Sequence, residues 1–110
     1  MAIIQLKTEE ELNQALMGTT PVLLFKHSTG CPISAKAFEE FQSFSKKYDT
    51  HDFYFLHVIE DRSLSDIVAK RWAIKHESPQ ALLLERDRVL WHDSHRAITV
   101  EALEDAWPHS

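Results

Sequence analysis

The sequence predicts an α/β fold with one mixed β-sheet of about five strands flanked by four helices. Three observations carry that expectation. Apolar strand-like runs alternate with segments of helical periodicity in the order β-α-β-α-β-α-β-β-α. The runs are continuous rather than alternating, as expected of strands covered on both faces. The last two strand-like runs are separated only by Arg86-Asp87, the length of a tight hairpin. Strands joined through helices imply parallel pairing with right-handed crossovers, and the terminal hairpin adds antiparallel edges.

The elements follow in order. Ile3 to Leu6 is a short strand. Thr8-Glu-Glu-Glu11 has the form of a capping box, with Thr8 as cap and Glu11 reaching back. Leu12, Ala15 and Leu16 recur at helical spacing until Gly18, and Thr19-Thr-Pro21 is a turn. Val22 to Lys26 is a buried strand. A helix follows over 35–48, with Phe38, Phe41, Phe44 and Tyr48 on its inner side, and Asp49 to Asp52 ends it. Phe53 to Ile59 is rich in aromatic and β-branched residues and reads as a strand covered on both faces. Ser63 and Asp66 form a second capping box for a helix bearing Leu64, Ile67, Val68 and Trp72. Pro79 halts the chain, because the residue before a proline avoids helical geometry. Gln80 to Glu85 and Arg88 to His92 make the hairpin. Thr99 caps a last helix with Val100, Leu103, Ala106 and Trp107 inside.

Composition limits the function. The 110 residues suggest a single domain over 1–110, and 44% hydrophobic residues suffice for a core. Twelve basic against seventeen acidic residues give −5, which argues against nucleic acid as partner. The amino terminus reads as neither a signal peptide nor a membrane span. One cysteine cannot form an internal disulfide, so the expected location is cytoplasmic. No membrane partner is expected, and the expected state is a monomer.

That cysteine, Cys31, lies between the strand ending near Lys26 and a helix opened by Pro32. The first N–H groups of a helix lack internal partners and carry partial positive charge. Thiols at such positions fall to roughly 3.5–7.5 from an ordinary ~8.5, so a lowered value is expected for Cys31. Pro32 suits the first helical position, where its missing N–H costs nothing. Ser34 stands where a dithiol protein carries its second cysteine. Ser34 and Thr29 either donate to the Cys31 sulfur or cap the helix. His27 either stabilises a thiolate when charged or simply ends the strand. His57 reads as structural. His-x-x-His at His92 and His95 has no accompanying ligands, so no metal is expected.

The element order resembles the thioredoxin-like fold over nearly the whole chain. Thr29-Gly-Cys-Pro-Ile-Ser34, His76-Glu-Ser-Pro-Gln80 and Trp91-His-Asp-Ser-His95 together resemble the YtxJ family, the monothiol bacilliredoxins. That resemblance implies action on mixed disulfides between protein cysteines and bacillithiol, a glucosamine–malate–cysteine thiol. Bacillithiol would be a co-substrate, with no cofactor bound, and S-bacillithiolated client proteins the partners. It implies a cis Pro79 opposite Cys31, a small penalty of about 0.5–1 kcal/mol for proline, with the backbone of Ser78 free to pair with substrate. His92, His95 and Arg96, placed just after the last strand, would meet the malate carboxylates. Three departures from thioredoxins accompany one another: Ser34 replaces the resolving cysteine, Phe25 the buried acid, and Gly30 the tryptophan beside the first cysteine. General disulfide reductase activity is not expected. Two other readings stand beside this one: an iron–sulfur protein that completes a cluster with external thiols across a dimer, and a redox sensor or adaptor that never turns over.

Overall fold

A computed structural model describes residues 2–18, 21–48 and 50–108. Thr19, Thr20 and Asp49, part of two expected turns, lie outside the described residues. The elements are β1 (Ile3–Gln5), α1 (Glu9–Met17), β2 (Val22–His27), α2 (Pro32–Lys47), β3 (Phe53–His57), α3 (Arg62–Arg71), β4 (Gln80–Glu85), β5 (Arg88–Ser94) and α4 (Val100–Ala106). A single 3-10 turn, His95–Ala97, joins β5 to α4.

The sheet order is β1-β3-β2-β4-β5. β3 is parallel to both β1 and β2, whereas β4 is antiparallel to β2 and β5 antiparallel to β4. The hairpin therefore supplies one edge strand, not two. Although α3 separates β3 from β4, β4 enters the sheet beside β2 in the opposite direction. Arg86, at φ +55, makes the hairpin's reverse turn.

Helices cover both faces because β2 and β4 are apolar on both. Leu24, Leu82 and Leu84 pack with Leu12 and Leu16 of α1 and Leu64 and Val68 of α3. Leu23, Phe25, Ala81 and Leu83 pack with Phe41 and Phe44 of α2 and Leu103 of α4. A register shift between Leu83 and Leu84 lets β5 turn Val89 to the first cluster and Trp91 to the second.

Caps account for two helix starts. Thr8 Oγ1 accepts from the Glu11 N–H (3.2 Å), and Glu11 Oε1 accepts from the Thr8 N–H (3.1 Å). Thr99 Oγ1 accepts from the Ala102 N–H (3.1 Å). The Ser63–Asp66 capping box does not form. A backbone turn, Asp61 N–H to His57 O (2.9 Å), starts α3 two residues earlier. Ser63 is therefore inside the helix, and Asp66 pairs with Arg62 (3.6 Å). The same turn ends β3 at His57 and leaves Ile59 65% exposed, outside the strand.

Phe41 anchors the face that carries α2. It is fully buried, stacks on Phe25 at 5.2 Å and meets Phe53 edge-on at 6.3 Å. Phe41→Ala is expected to lose about 3–5 kcal/mol of stability, measured from urea denaturation.

Candidate active site: one thiol at a strand–helix junction

Cys31 is the N-cap residue of α2, in extended conformation (φ −99, ψ 120), and its carbonyl accepts the first helical bond, from Ala35 N–H (2.9 Å). The helix thus begins at Pro32, with proline at the first position as expected, and its regular part takes in the three residues before Ala35. Gly30 holds φ +83 with open space around it, so glycine is needed there for backbone conformation and not for room. The thiol is half-buried.

The side chains around Cys31 differ from expectation. Ser34 is fully buried and neither caps α2 nor bonds the sulfur. Its Oγ accepts from the Ser28 N–H (2.9 Å) and pairs with His27 Nδ1 (2.8 Å). Thr29 does not cap either; its hydroxyl donates to Glu60 Oε2 (3.4 Å). His27 extends β2 by one residue and stacks on Phe38 (4.5 Å, 14°). Burial lowers its pKa, and neighbouring His57 lowers it further, against a smaller opposite pull from Glu60. The shift favours the neutral form of His27, which argues against the reading of a cation beside the thiolate. His57 pairs with Gln5 Nε2 (3.3 Å).

The Ser78–Pro79 peptide bond is cis. Pro79 is buried, and its carbonyl accepts from the His95 N–H (3.0 Å), which ties the 76–79 segment to the turn before α4. His95 holds φ +55, an uncommon conformation for a non-glycine residue, and its Nδ1 lies 3.2 Å from Glu77 Oε2. Gln80 Nε2 donates to Lys75 O (3.1 Å), while Gln80 Oε1 and Ser78 Oγ are buried without partners.

His92, His95 and Arg96 do not form one patch. His92 lies inside β5, not after it, and lines a cleft with Ile74, Lys75 and Glu77. His95 and Arg96 instead line a groove with Pro32, Ile33 and Lys36. The physical reason is the length of β5. It pairs with β4 as far as Gln80↔Ser94, so His92 alternates onto the face of Leu82 before the chain leaves the sheet. Among the described residues, no three His, Cys, Asp or Glu side chains gather as a metal site.

Sequence reasoning missed Lys26. It alternates to the face opposite Phe25 and is fully buried. Its Nζ donates to Ser65 O (3.1 Å) and lies 3.2 Å from His76 Nδ1. Burial lowers its pKa to about 8, against a weaker opposing attraction from Asp66. The signal was present, since a strand read as covered on both faces has no exposed position for a lysine. Lys36 was missed because only the fold brings it beside Arg96.

A family model described as "Monothiol bacilliredoxin BrxC" matches residues 4–103. One solved structure, presented as a candidate oxidoreductase with a thioredoxin fold, is 38% identical with a TM-score of 0.90, covering 94% of this chain and 92% of its own. The thioredoxin of Malassezia sympodialis matches at 14% identity and TM-score 0.76, covering 94% of this chain and 86% of its own. That of Nicotiana alata matches at 20% and 0.71, covering 94% and 87%. The last two share the fold alone; the fold is that of thioredoxins.

Two measurements test this geometry. Ser34→Ala leaves the Ser28 N–H without its buried acceptor and is expected to lose about 1–3 kcal/mol in urea denaturation. Lys26 binds a proton more weakly folded than unfolded, so the unfolded chain holds more protons between pH 8 and the ordinary 10.5. Stability then rises with pH across that window. Urea midpoints of the native protein are expected to rise relative to those of Lys26→Met from pH 8 to 10 and to run parallel below pH 7. Parallel midpoints throughout would mean that Lys26 is not held in this way.

Proposed function

The chain belongs to the monothiol bacilliredoxin family, and from that premise we propose that Cys31 removes bacillithiol from S-bacillithiolated proteins. The observation that carries the reading is Ser34. The position of a second thiol is filled by a fully buried hydroxyl already bonded to Ser28 and His27. Cys31 is the only cysteine in the sequence, so a mixed disulfide on it is resolved only by a thiol from outside.

The reaction is two thiol–disulfide exchanges. The Cys31 thiolate attacks the bacillithiol sulfur of the client's mixed disulfide. The client–bacillithiol S–S bond breaks, a Cys31–bacillithiol bond forms, and the client leaves as thiolate. Free bacillithiol thiolate then attacks the bacillithiol sulfur on Cys31. Bacillithiol disulfide departs and Cys31 returns as thiolate, with no net oxidation of the protein.

Each residue's part follows from its place. Cys31 stands at the start of α2, where unpaired N–H groups favour an anion. Gly30 and Pro32 set the backbone on either side of it. The backbone of Ser78 offers an edge to the extended substrate, and the bond from His95 N–H to the Pro79 carbonyl holds that segment to the turn before α4. The protein acts in the cytoplasm as a monomer. No helix among the described residues is long and apolar enough to cross a membrane.

The test is an intact-mass measurement after mixing reduced protein with a bacillithiolated client, beside Cys31→Ala. Cys31 is expected to gain the mass of bacillithiol as the client loses it, and the variant to do neither. Absence of transfer from a client, with Cys31 still readily alkylated, would overturn the enzyme reading in favour of a sensor.

A further inference from the structure

A groove of about 440 Å³ runs from the residue after Cys31 between the start of α2 and the segment that leads into α4. Ile33, Ala37 and Ile98 give it apolar walls, and Lys36, His95 and Arg96 add three basic side chains. Two of these are already answered. Lys36 Nζ lies 3.6 Å from Glu40 Oε2, and Glu40 Oε1 is held in turn by the Val100 N–H (3.0 Å). His95 Nδ1 lies 3.2 Å from Glu77. Arg96 is exposed and has no acidic partner among the described residues. Arg96 is thus the basic side chain of this groove left free to meet an anion, in a groove that begins at the residue after Cys31.

We propose that this groove seats the client polypeptide rather than bacillithiol, and selects an apolar side chain with a carboxylate beside it near the modified cysteine. The proposal rests on the exchange reading of Cys31. Bacillithiol also carries carboxylates, on its malate, but the sugar between them and the sulfur would lay its hydroxyls against Ile33, Ala37 and Ile98 and lose water without gaining partners. An apolar side chain gains from the same walls. One free guanidinium answers one carboxylate, and an arginine–carboxylate pair is the match its planar donors fit best. The groove begins at Pro32, so residues flanking a cysteine in exchange with Cys31 reach it within a few residues of extended chain, about 3.3 Å each.

The experiment uses four synthetic bacillithiolated peptides that place leucine or serine, and glutamate or lysine, next to one another close to the modified cysteine. Initial rates give KM and kcat for the native protein and for Arg96→Glu. The leucine–glutamate peptide is expected to have the lowest KM. Serine in place of leucine should raise KM about tenfold. Lysine in place of glutamate should raise it about three- to fivefold at low ionic strength, an effect that fades with salt. Arg96→Glu should reverse the glutamate–lysine preference. Equal KM values for all four peptides would overturn the proposal while leaving the exchange reading intact. So would an Arg96→Glu protein that keeps the peptide ranking but is slower in the attack of free bacillithiol on the isolated Cys31–bacillithiol disulfide, which would assign the groove to the small thiol. Transfer from none of the peptides would sink the exchange reading and the proposal with it.

Discussion

The junction of β2 with α2 depends on one hydroxyl. Ser34 Oγ reaches from the first turn of α2 to the Ser28 N–H and to His27 Nδ1, and so ties the helix back to the end of the strand. Cys31 sits within the loop thus closed, and its position follows from a bond that it does not make. A fully buried hydroxyl that holds a backbone N–H is costly to remove, because the N–H loses its partner. The position a dithiol protein devotes to resolving a disulfide is spent here on holding the loop.

The surrounding substitutions agree with that arrangement. A dithiol enzyme keeps an acid beneath its second thiol; here Phe25 occupies the position, fully buried and stacked on Phe41. His27, its pKa lowered by burial and by His57, bonds Ser34, and that shift favours its neutral form. The charged group of β2 is Lys26, which alternates to the opposite face and joins Ser65 and His76 beneath α3. His76 thus contributes to the packing of the 75–79 segment, and His95 and Glu77 anchor that segment to the turn before α4. The thiol is framed by loops that are each tied down from behind.

Much of this was legible in the sequence. Continuous apolar runs and helical periodicity marked every strand and every α-helix, because burial on two faces or on one stripe leaves those periods in the chain. Thr8 and Thr99 were readable as caps because a cap is a local bond. Ser63 misled because a longer-range event, the backbone turn from His57 to Asp61, had already started the helix. The family was legible too, from three short strings around Cys31, Pro79 and His95, and the match over residues 4–103 agrees with it.

By itself, then, the sequence determined that one thiol opens a helix in an α/β sheet and that no second thiol can resolve it. It could not determine what each polar side chain touches. Ser34 read as a cap before a sulfur donor, and only the packing of α2 against β2 turned it to Ser28 and His27. His92, His95 and Arg96 read as one patch, but β5 pairs on to Ser94, so His92 stays on the sheet face of Leu82 while His95 and Arg96 leave the strand for the groove beside α2. Side-chain direction in a strand changes with every residue, so a shift in where a strand ends reassigns a site. Tertiary structure decides that, because strand ends are set by pairing with neighbours far away in the chain.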